Sequence, residues 1–546
     1  MSDEGVDRRT FLQYGGTAAA AAASVSVAGC NGNGDGNGNG NGTGNGDGEP
    51  ATGEPRTFDE ELPDDPTREE LLEHANGMAN ALAPFIYLHQ QYSIYGVSED
   101  LDWDARGDED ILVREIDTDR EEITITQGTF PGAMDPLDHN DTPTHNVLNQ
   151  AYEPVLYRDR EGRTVARIAT DWERRDETTV AFEVRDGVTF HSGNEMTADD
   201  VAFSINRAND PEVSDQAGVI GAIDEARAED GEVVVDLEAV VPTIFFNLTA
   251  FGRVMEREWT EARDQGDLND GEVNGTGPYE LENFADDVEV AYERFDDYWD
   301  ENPGPDRVVF NAVSDEGTRV DRLIADESDL VTNVNPRDVG ELQGADGVEP
   351  QGVPSIRNIF IVMNDAKEPF DSLEFRQAMN YAVDVEAIID GILDEFGELT
   401  SQPTLEGHFG HNPRVDPYPY DPDQAEALVE ESGHADVEIE VHTTTGRYLR
   451  DTDIAETVAG QIDDLDNVSA TAELRDTQSL FNESQTGNQD DSPAIFLMGW
   501  SNPTLDADYA MTPWFDPEDA FGIAHFSDDD LLELLHRAQE TPLEEE

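Results

Sequence analysis

Carboxylates outnumber basic groups by 124 to 32 in these 546 residues, and the resulting formal charge of -92 is the tightest constraint on any fold. Like charges at this density repel, and such a chain stays disordered unless it can bury a large apolar interior. The interior is available, because 37% of the residues are hydrophobic and 23 Phe, 14 Tyr and 6 Trp are among them. The acid therefore reads as a solvated coat on a globular protein. Such a coat stays compact where concentrated salt screens it, with a Debye length of about 3 Å at 1 M. A halophile living in near-molar salt is expected. Lys367 is the only lysine, and every other basic residue is arginine. Charge excludes nucleic acid and anionic lipid surfaces as partners. The length exceeds what one hydrophobic core usually serves, so two packed lobes are expected.

The N-terminus reads as an address. Arg8 and Arg9 precede Thr10, Phe11 and Leu12, then an Ala-rich stretch from Thr17 to Ala28. That stretch is too short to span about 30 Å of hydrocarbon at 1.5 Å per residue. The pattern resembles a twin-arginine export signal. It ends Ser26-Val27-Ala28-Gly29-Cys30, and Cys30 is the only cysteine, so it has no internal partner. Small residues before a single Cys resemble a lipobox, which makes Cys30 the expected lipid anchor. Asn31 to Gly48 is nearly alternating Asn and Gly, a coil spanning about 23 Å on average. Polar residues extend this tether to about Asp65.

Val180-Ala181-Phe182-Glu183-Val184-Arg185 has the period of a half-buried strand, Asp186-Gly187 predicts a tight turn, and Val188-Thr189-Phe190 a second strand. Thr197-Ala198-Asp199-Asp200 predicts a capped helix start, with Val201, Phe203, Ile205 and Ala208 following on it. The stretch Phe182 to Ala208, FEVRDGVTFHSGNEMTADDVAFSINRA, resembles the signature of the family 5 extracellular solute-binding proteins of the oligopeptide, dipeptide and nickel type. Further landmarks stand in family order: Asn274 to Tyr279, Asp297-Tyr298-Trp299, Val308 to Phe310 on to Arg319-Val320, Phe375 to Asp384, Thr445 to Tyr448, and Met498-Gly499-Trp500. The resemblance covers roughly Ile116 to the end. It implies an α/β, two-lobed fold of the periplasmic-binding-protein type II, with a ligand cleft between the lobes.

One departure from the family pattern is informative. Members close with an acidic helix and then a strand of the form Ala-Pro-hydrophobic-Leu-Tyr, whereas this chain stops at Thr541 to Glu546. The matching piece stands near the N-terminus, where Arg68-Glu69-Glu70-Leu71-Leu72 runs into Ala83-Pro84-Phe85-Ile86-Tyr87-Leu88. A circular permutation is expected, with the family's C-terminal helix and strand moved to residues 66–115. The expected organisation is signal 1–30, tether 31–65, permuted segment of the first lobe 66–115, first lobe 116–348, second lobe 349–500 and return to the first lobe 501–546.

The resemblance also implies site residues. Family dipeptide binders place an Arg at the position of Arg447 to pair with a ligand carboxylate, a task that suits its planar fork. Trp500 offers a flat apolar wall and an indole donor. Peptide binders carry an Asp shortly after this Trp for the ligand's amino group, but Pro503 stands there. Asp506 and Asp508 are the candidates that replace it, Asn502 is a further candidate ligand residue, and Thr129, Phe130 and Tyr152 are expected near the cleft wall. No cofactor and no catalytic residue is expected, since the only thiol is Cys30 and neither a Gly-x-Ser-x-Gly elbow nor a His-Glu-x-x-His pair occurs. His408 and His411, three apart in one loop, are the only metal-like feature, and a metal site wants three or four ligands. Sequons at Asn247, Asn467 and Asn482 permit glycosylation. The implied protein is a monomer from a haloarchaeon. It captures a small solute, a peptide above all, and passes it to the transmembrane subunits of an ABC importer. A nickel chelate or a sugar is the alternative ligand, and a secreted hydrolase the alternative class.

Overall fold

The computed structural model describes residues 55–129, 133–139, 141–160, 162–217, 220–285, 288–302, 304–484, 489, 491–517 and 523–541. Arg8, Arg9, Cys30, the Asn-Gly part of the tether and Phe130 lie outside them.

Helix Arg68–Leu82 opens at Thr67, whose hydroxyl accepts from the Glu70 N–H while the Glu70 carboxylate accepts from the Thr67 N–H. Leu71, Leu72, Ala75 and Ala79 recur at helical spacing and form its fully buried face. Ala83 in the left-handed region ends the helix, and the buried run after Pro84 becomes the long strand Phe85–Ser98. That strand pairs antiparallel with Val348–Met363 from end to end, Phe85 opposite Val362 and Ser98 opposite Val348.

These two strands are the middle of an eleven-stranded mixed sheet. On one side of them stand Ile495–Ser501, Val437–Thr443 and Val468–Leu474. On the other stand Leu330–Val331, Glu122–Gln127, Arg307–Ala312, Glu289–Arg294 and Tyr279–Ala285, with Gly397–Leu399 paired to the long strand. Ile495–Ser501 has strands on both sides, which is why it reads as a continuous apolar run rather than an alternation. A separate four-stranded antiparallel sheet takes Ala169–Asp176, Thr179–Val184, Glu232–Leu237 and Ile223–Glu229.

Two hydrophobic cores form. One gathers Leu71–Ile94, Val320 and Leu323, and residues from Val331 to Ala538; the other gathers Tyr95–Phe310 and Leu330. The expected boundaries shift accordingly. Residues 66–115 do not pack as one piece of the first lobe: up to Ile94 they share a core with residues 359–538, and from Tyr95 they join the other. The return segment also packs mainly with the second lobe, through Leu531, Leu534 and Leu535. The cause is the long strand pair, which is long enough to cross from one core to the other.

Two local readings are corrected. Val188 to Phe190 is not a hairpin partner of Thr179–Val184, which pairs instead with Ala169–Asp176 and Glu232–Leu237. Val188 and Phe190 point into the core, and core packing rather than strand pairing accounts for the apolar pattern. The tether does not reach Asp65 as free coil. From Arg56 it is docked: the Gln377 amide brackets Arg56, taking its N–H at 2.6 Å and donating to its carbonyl at 2.9 Å. Phe58 sits so close over Gly77 that a Cβ there would lie 2.3 Å from its ring. The capped helix start at Thr197 is present, with the Asp200 carboxylate accepting from both the Thr197 N–H and its hydroxyl. No helix among the described residues is long and apolar enough to cross a membrane.

Candidate functional site

A cavity of about 1320 Å³ of empty space, open solvent included, lies where the two cores face each other. Its second-core wall is built on the strand Ile495–Ser501 and the loop after Val437–Thr443. Gly446, at φ +75°, turns that loop over, and the Asp451 carboxylate pins it by accepting from the Thr444 hydroxyl and the N–H groups of Gly446, Arg447 and Tyr448. Arg447 is thereby presented to the cavity with its guanidinium 4.8 Å from the Tyr448 ring centre. Its Nε is buried and has no hydrogen-bond partner. Tyr448 in turn packs over Gly499, where a Cβ would meet its ring at 2.6 Å, and donates its hydroxyl to the Gly499 carbonyl.

Behind this wall Arg357 forms a buried ion pair with Glu109 at 2.6 Å and donates to the Thr142 hydroxyl. Burial works against both charges. The pairing outweighs it, so the Glu109 carboxyl is held below its ordinary range and the Arg357 guanidinium above its own. A smaller polar recess opens here, lined by Thr129, Glu109, Asn333 and the shared residues Thr142, Arg357 and Arg447.

An aromatic ladder joins the walls. Trp500 stacks on Tyr509 at 5.6 Å and donates its indole N–H to the Tyr509 carbonyl, and Tyr509 stacks on Phe251 at 6.0 Å. All three rings line the cavity.

The opposite wall belongs to the core of Tyr95–Leu330. Tyr152 lines it, almost fully buried, with its hydroxyl accepting from the Asn274 N–H. Arg114 lies 5.0 Å from the centre of the Tyr157 ring. Arg253 is buried, and its guanidinium donates to the Asn149 side-chain oxygen, the Ala250 carbonyl and His145 Nε2. Burial pushes its pKa down to about 10, so it stays charged at neutral pH. Asp108 is held by Arg106 at 2.6 Å and lies 3.5 Å from Arg158, and Asp110 stands 3.4 Å from His145.

The expected residues thus fall into three groups. Arg447, Trp500 and Tyr152 come together in the large cavity, and Thr129 lines the recess beside it. Asn502, Asp506 and Asp508 line neither. Asp506 takes both ends of the Arg68 guanidinium, at 2.6 and 3.0 Å, and caps helix Ala507–Phe515. Asn502 donates to the Asp506 carbonyl, and Asp508 accepts from Thr512 and Gln539, its carboxyl pushed up by burial and by Asp506 despite Arg68. His408 and His411 each face a side-chain amide, of Asn502 and Gln402. Among the sequons Asn247 is buried, Asn467 half-buried and Asn482 exposed. Sequence reasoning missed Arg114, Arg158, Arg253, Arg357 and Tyr157. No motif marks them; the scarcity of basic residues in this chain is the only signal that points to them.

Two α/β bodies sharing one sheet, with a polar and aromatic cavity between them, define a binding protein of the periplasmic type II fold. The chain belongs to the bacterial extracellular solute-binding proteins, family 5: residues 163–522 match its middle region. That is a family of binding proteins rather than of enzymes. The chain is 28% identical to the dipeptide-binding protein of Escherichia coli (strain K12) over 293 residues, 49% of this chain and 54% of that protein. The match thus spans about half the length of that relative. Glutathione-binding protein GsiB of Escherichia coli O1:K1 / APEC is 24% identical over 441 residues, 77% of this chain and 83% of that one. The same fold occurs in the dipeptide-binding protein of Pseudoalteromonas sp. SM9913 in complex with Met-Leu, with TM-score 0.68 and 21% identity over 77% of this chain and 88% of that one. NikZ of Campylobacter jejuni in complex with Ni(L-His) superposes with TM-score 0.67 and 20% identity, covering 78% and 88%.

Proposed function

We propose that this chain is the solute-capturing subunit of an ABC importer: it closes its lobes on a small organic solute, peptide-like in size, and delivers it to a membrane permease. The observation that carries the reading is Arg447, whose buried Nε has no hydrogen-bond partner among the described residues and whose guanidinium lies 4.8 Å from the Tyr448 ring centre at a cavity between two cores. A ligand touching both walls stabilises the closed form over the open one, and capture needs nothing more. The relatives named for dipeptide and glutathione support this ligand class.

The protein works at the outer face of the cytoplasmic membrane, exported through its Arg8-Arg9 signal, lipidated at Cys30 and monomeric. The coat of acid and the near absence of lysine fit a haloarchaeal source. Residues 66–115 are the family's C-terminal helix and strand, carried to the front by circular permutation. Support comes from the junction of the two ends: helix Arg68–Leu82 packs on helix Asp529–Glu540, and the Arg68 guanidinium reaches the Ala538 carbonyl at 3.2 Å. Ends that meet in this way are the precondition for permutation.

Mass spectrometry of the ligand released from protein purified in strong salt tests the function. A small organic acid or peptide is expected, and Arg447→Ala should weaken its binding at least tenfold. Release of nothing from any growth extract, or unchanged affinity in the variant, contradicts the reading.

A further inference from the structure

Three arginines along the cavity make no ion pair among the described residues, and their placement points to a ligand class. Two acids near the cavity are held by arginine, Asp108 by Arg106 and Glu109 by Arg357, while Asp110, 3.4 Å from His145 Nε2, makes no ion pair with an arginine among the described residues. Two more line the cavity. Asp141 accepts from the Thr144 N–H as the cap of helix Thr142–Leu148, and Asp215 is exposed to solvent. On the cationic side, Arg114, Arg253 and Arg447 have no ion pair among the described residues.

These cations stand on opposite walls. Arg447 precedes Tyr448 and Leu449, which belong to the core of Leu71–Ala538. Arg114 follows Val113 and lies over the ring of Tyr157, beside Leu156, in the core of Tyr95–Leu330, and Arg253 belongs to the same wall. Arg253 has its donors engaged by neutral acceptors, so it contributes field rather than contact, whereas Arg114 and Arg447 lie 5.0 and 4.8 Å from tyrosine ring centres. A stacked guanidinium keeps its in-plane donors free for a carboxylate. In a chain of charge -92 an anionic ligand would be repelled at a distance in dilute buffer. In molar salt that field decays within about 3 Å, and the local cations decide.

We propose that the ligand is a small dianion with a carboxylate at each end, one received by Arg447 and the other by Arg114 with the Arg253 charge behind it. The inference rests on the capture reading above and narrows it. Each acid group is anchored in a different lobe, so only a ligand with both draws the lobes together fully.

Titration calorimetry in molar KCl with matched pairs tests this: glutarate against butyrate, Ala-Glu against Ala-Gln, and N-acetyl-Ala-Glu against N-acetyl-Ala-Gln. The two-acid member of at least one pair should bind tenfold or more tighter than its mate. Arg114→Gln should bring the ratio near one, and Arg447→Gln should weaken both members. Equal binding of mates overturns the dianion and leaves solute capture standing. Failure of every probe, with a released native ligand bearing fewer than two acid groups, also overturns it. If in addition no extract yields a ligand, the capture reading falls with it.

Discussion

Arg357 and Glu109 show how a single pair holds the cavity together. Arg357 sits on the strand Val348–Met363 and Glu109 comes from the stretch after Phe85–Ser98, so their contact fastens the cavity floor across 248 residues of sequence. Glu109→Gln leaves the guanidinium buried without its partner, which costs about 3–5 kcal/mol. The pH dependence follows from the direction of the shift. Because folding holds the Glu109 carboxyl below its unfolded value, near 4.3 for a model Glu, the pair adds stability above that value and loses it as pH falls through the folded pKa. Urea titrations at falling pH should therefore show wild type converging on Glu109→Gln below about pH 4. A constant gap between the two at all pH values would remove the pair from the stability account.

At the scale of elements, much was legible and the rest had an identifiable reason for being hidden. The caps at Thr67 and Thr197, the helical spacing of Leu71, Leu72, Ala75 and Ala79, and the apolar run Phe85–Leu88 are local signals, and the structure uses them. The apolar pattern Val188 to Phe190 was ambiguous, because burial in a turn and burial in a strand look alike over three residues. Arg447, Trp500 and Tyr152 could be placed because motifs sit beside them. Arg114, Arg253 and Arg357 could not, since their meeting depends on contacts between segments more than a hundred residues apart. Asp506 was read as a ligand group because acids beside Trp500 invite it, yet its partner Arg68 lies 438 residues away. The proposed permutation belongs to this scale. Moving residues 66–115 to follow Glu546 through a short flexible linker should give a chain that folds and binds like the original, as checked by thermal melting and calorimetry in strong salt. Simple deletion should not fold, because it strips Val348–Met363 of its partner strand and uncovers helix Asp529–Glu540. A rejoined chain that stays unfolded would contradict the permutation.

The whole molecule is two cores, one shared sheet and a negative coat around a cavity rich in arginine. The coat repels itself and is screened in concentrated salt; under the proposals above, the cavity in that salt favours acids that the surface would otherwise turn away. In the proposed function, closure of the two bodies around a guest joins these features. Small-angle X-ray scattering in molar KCl, without and with a saturating amount of the ligand released from the protein, tests this most directly. The account expects the radius of gyration to fall on addition and to recover when the ligand is dialysed out. Profiles that superpose with and without bound ligand would contradict it.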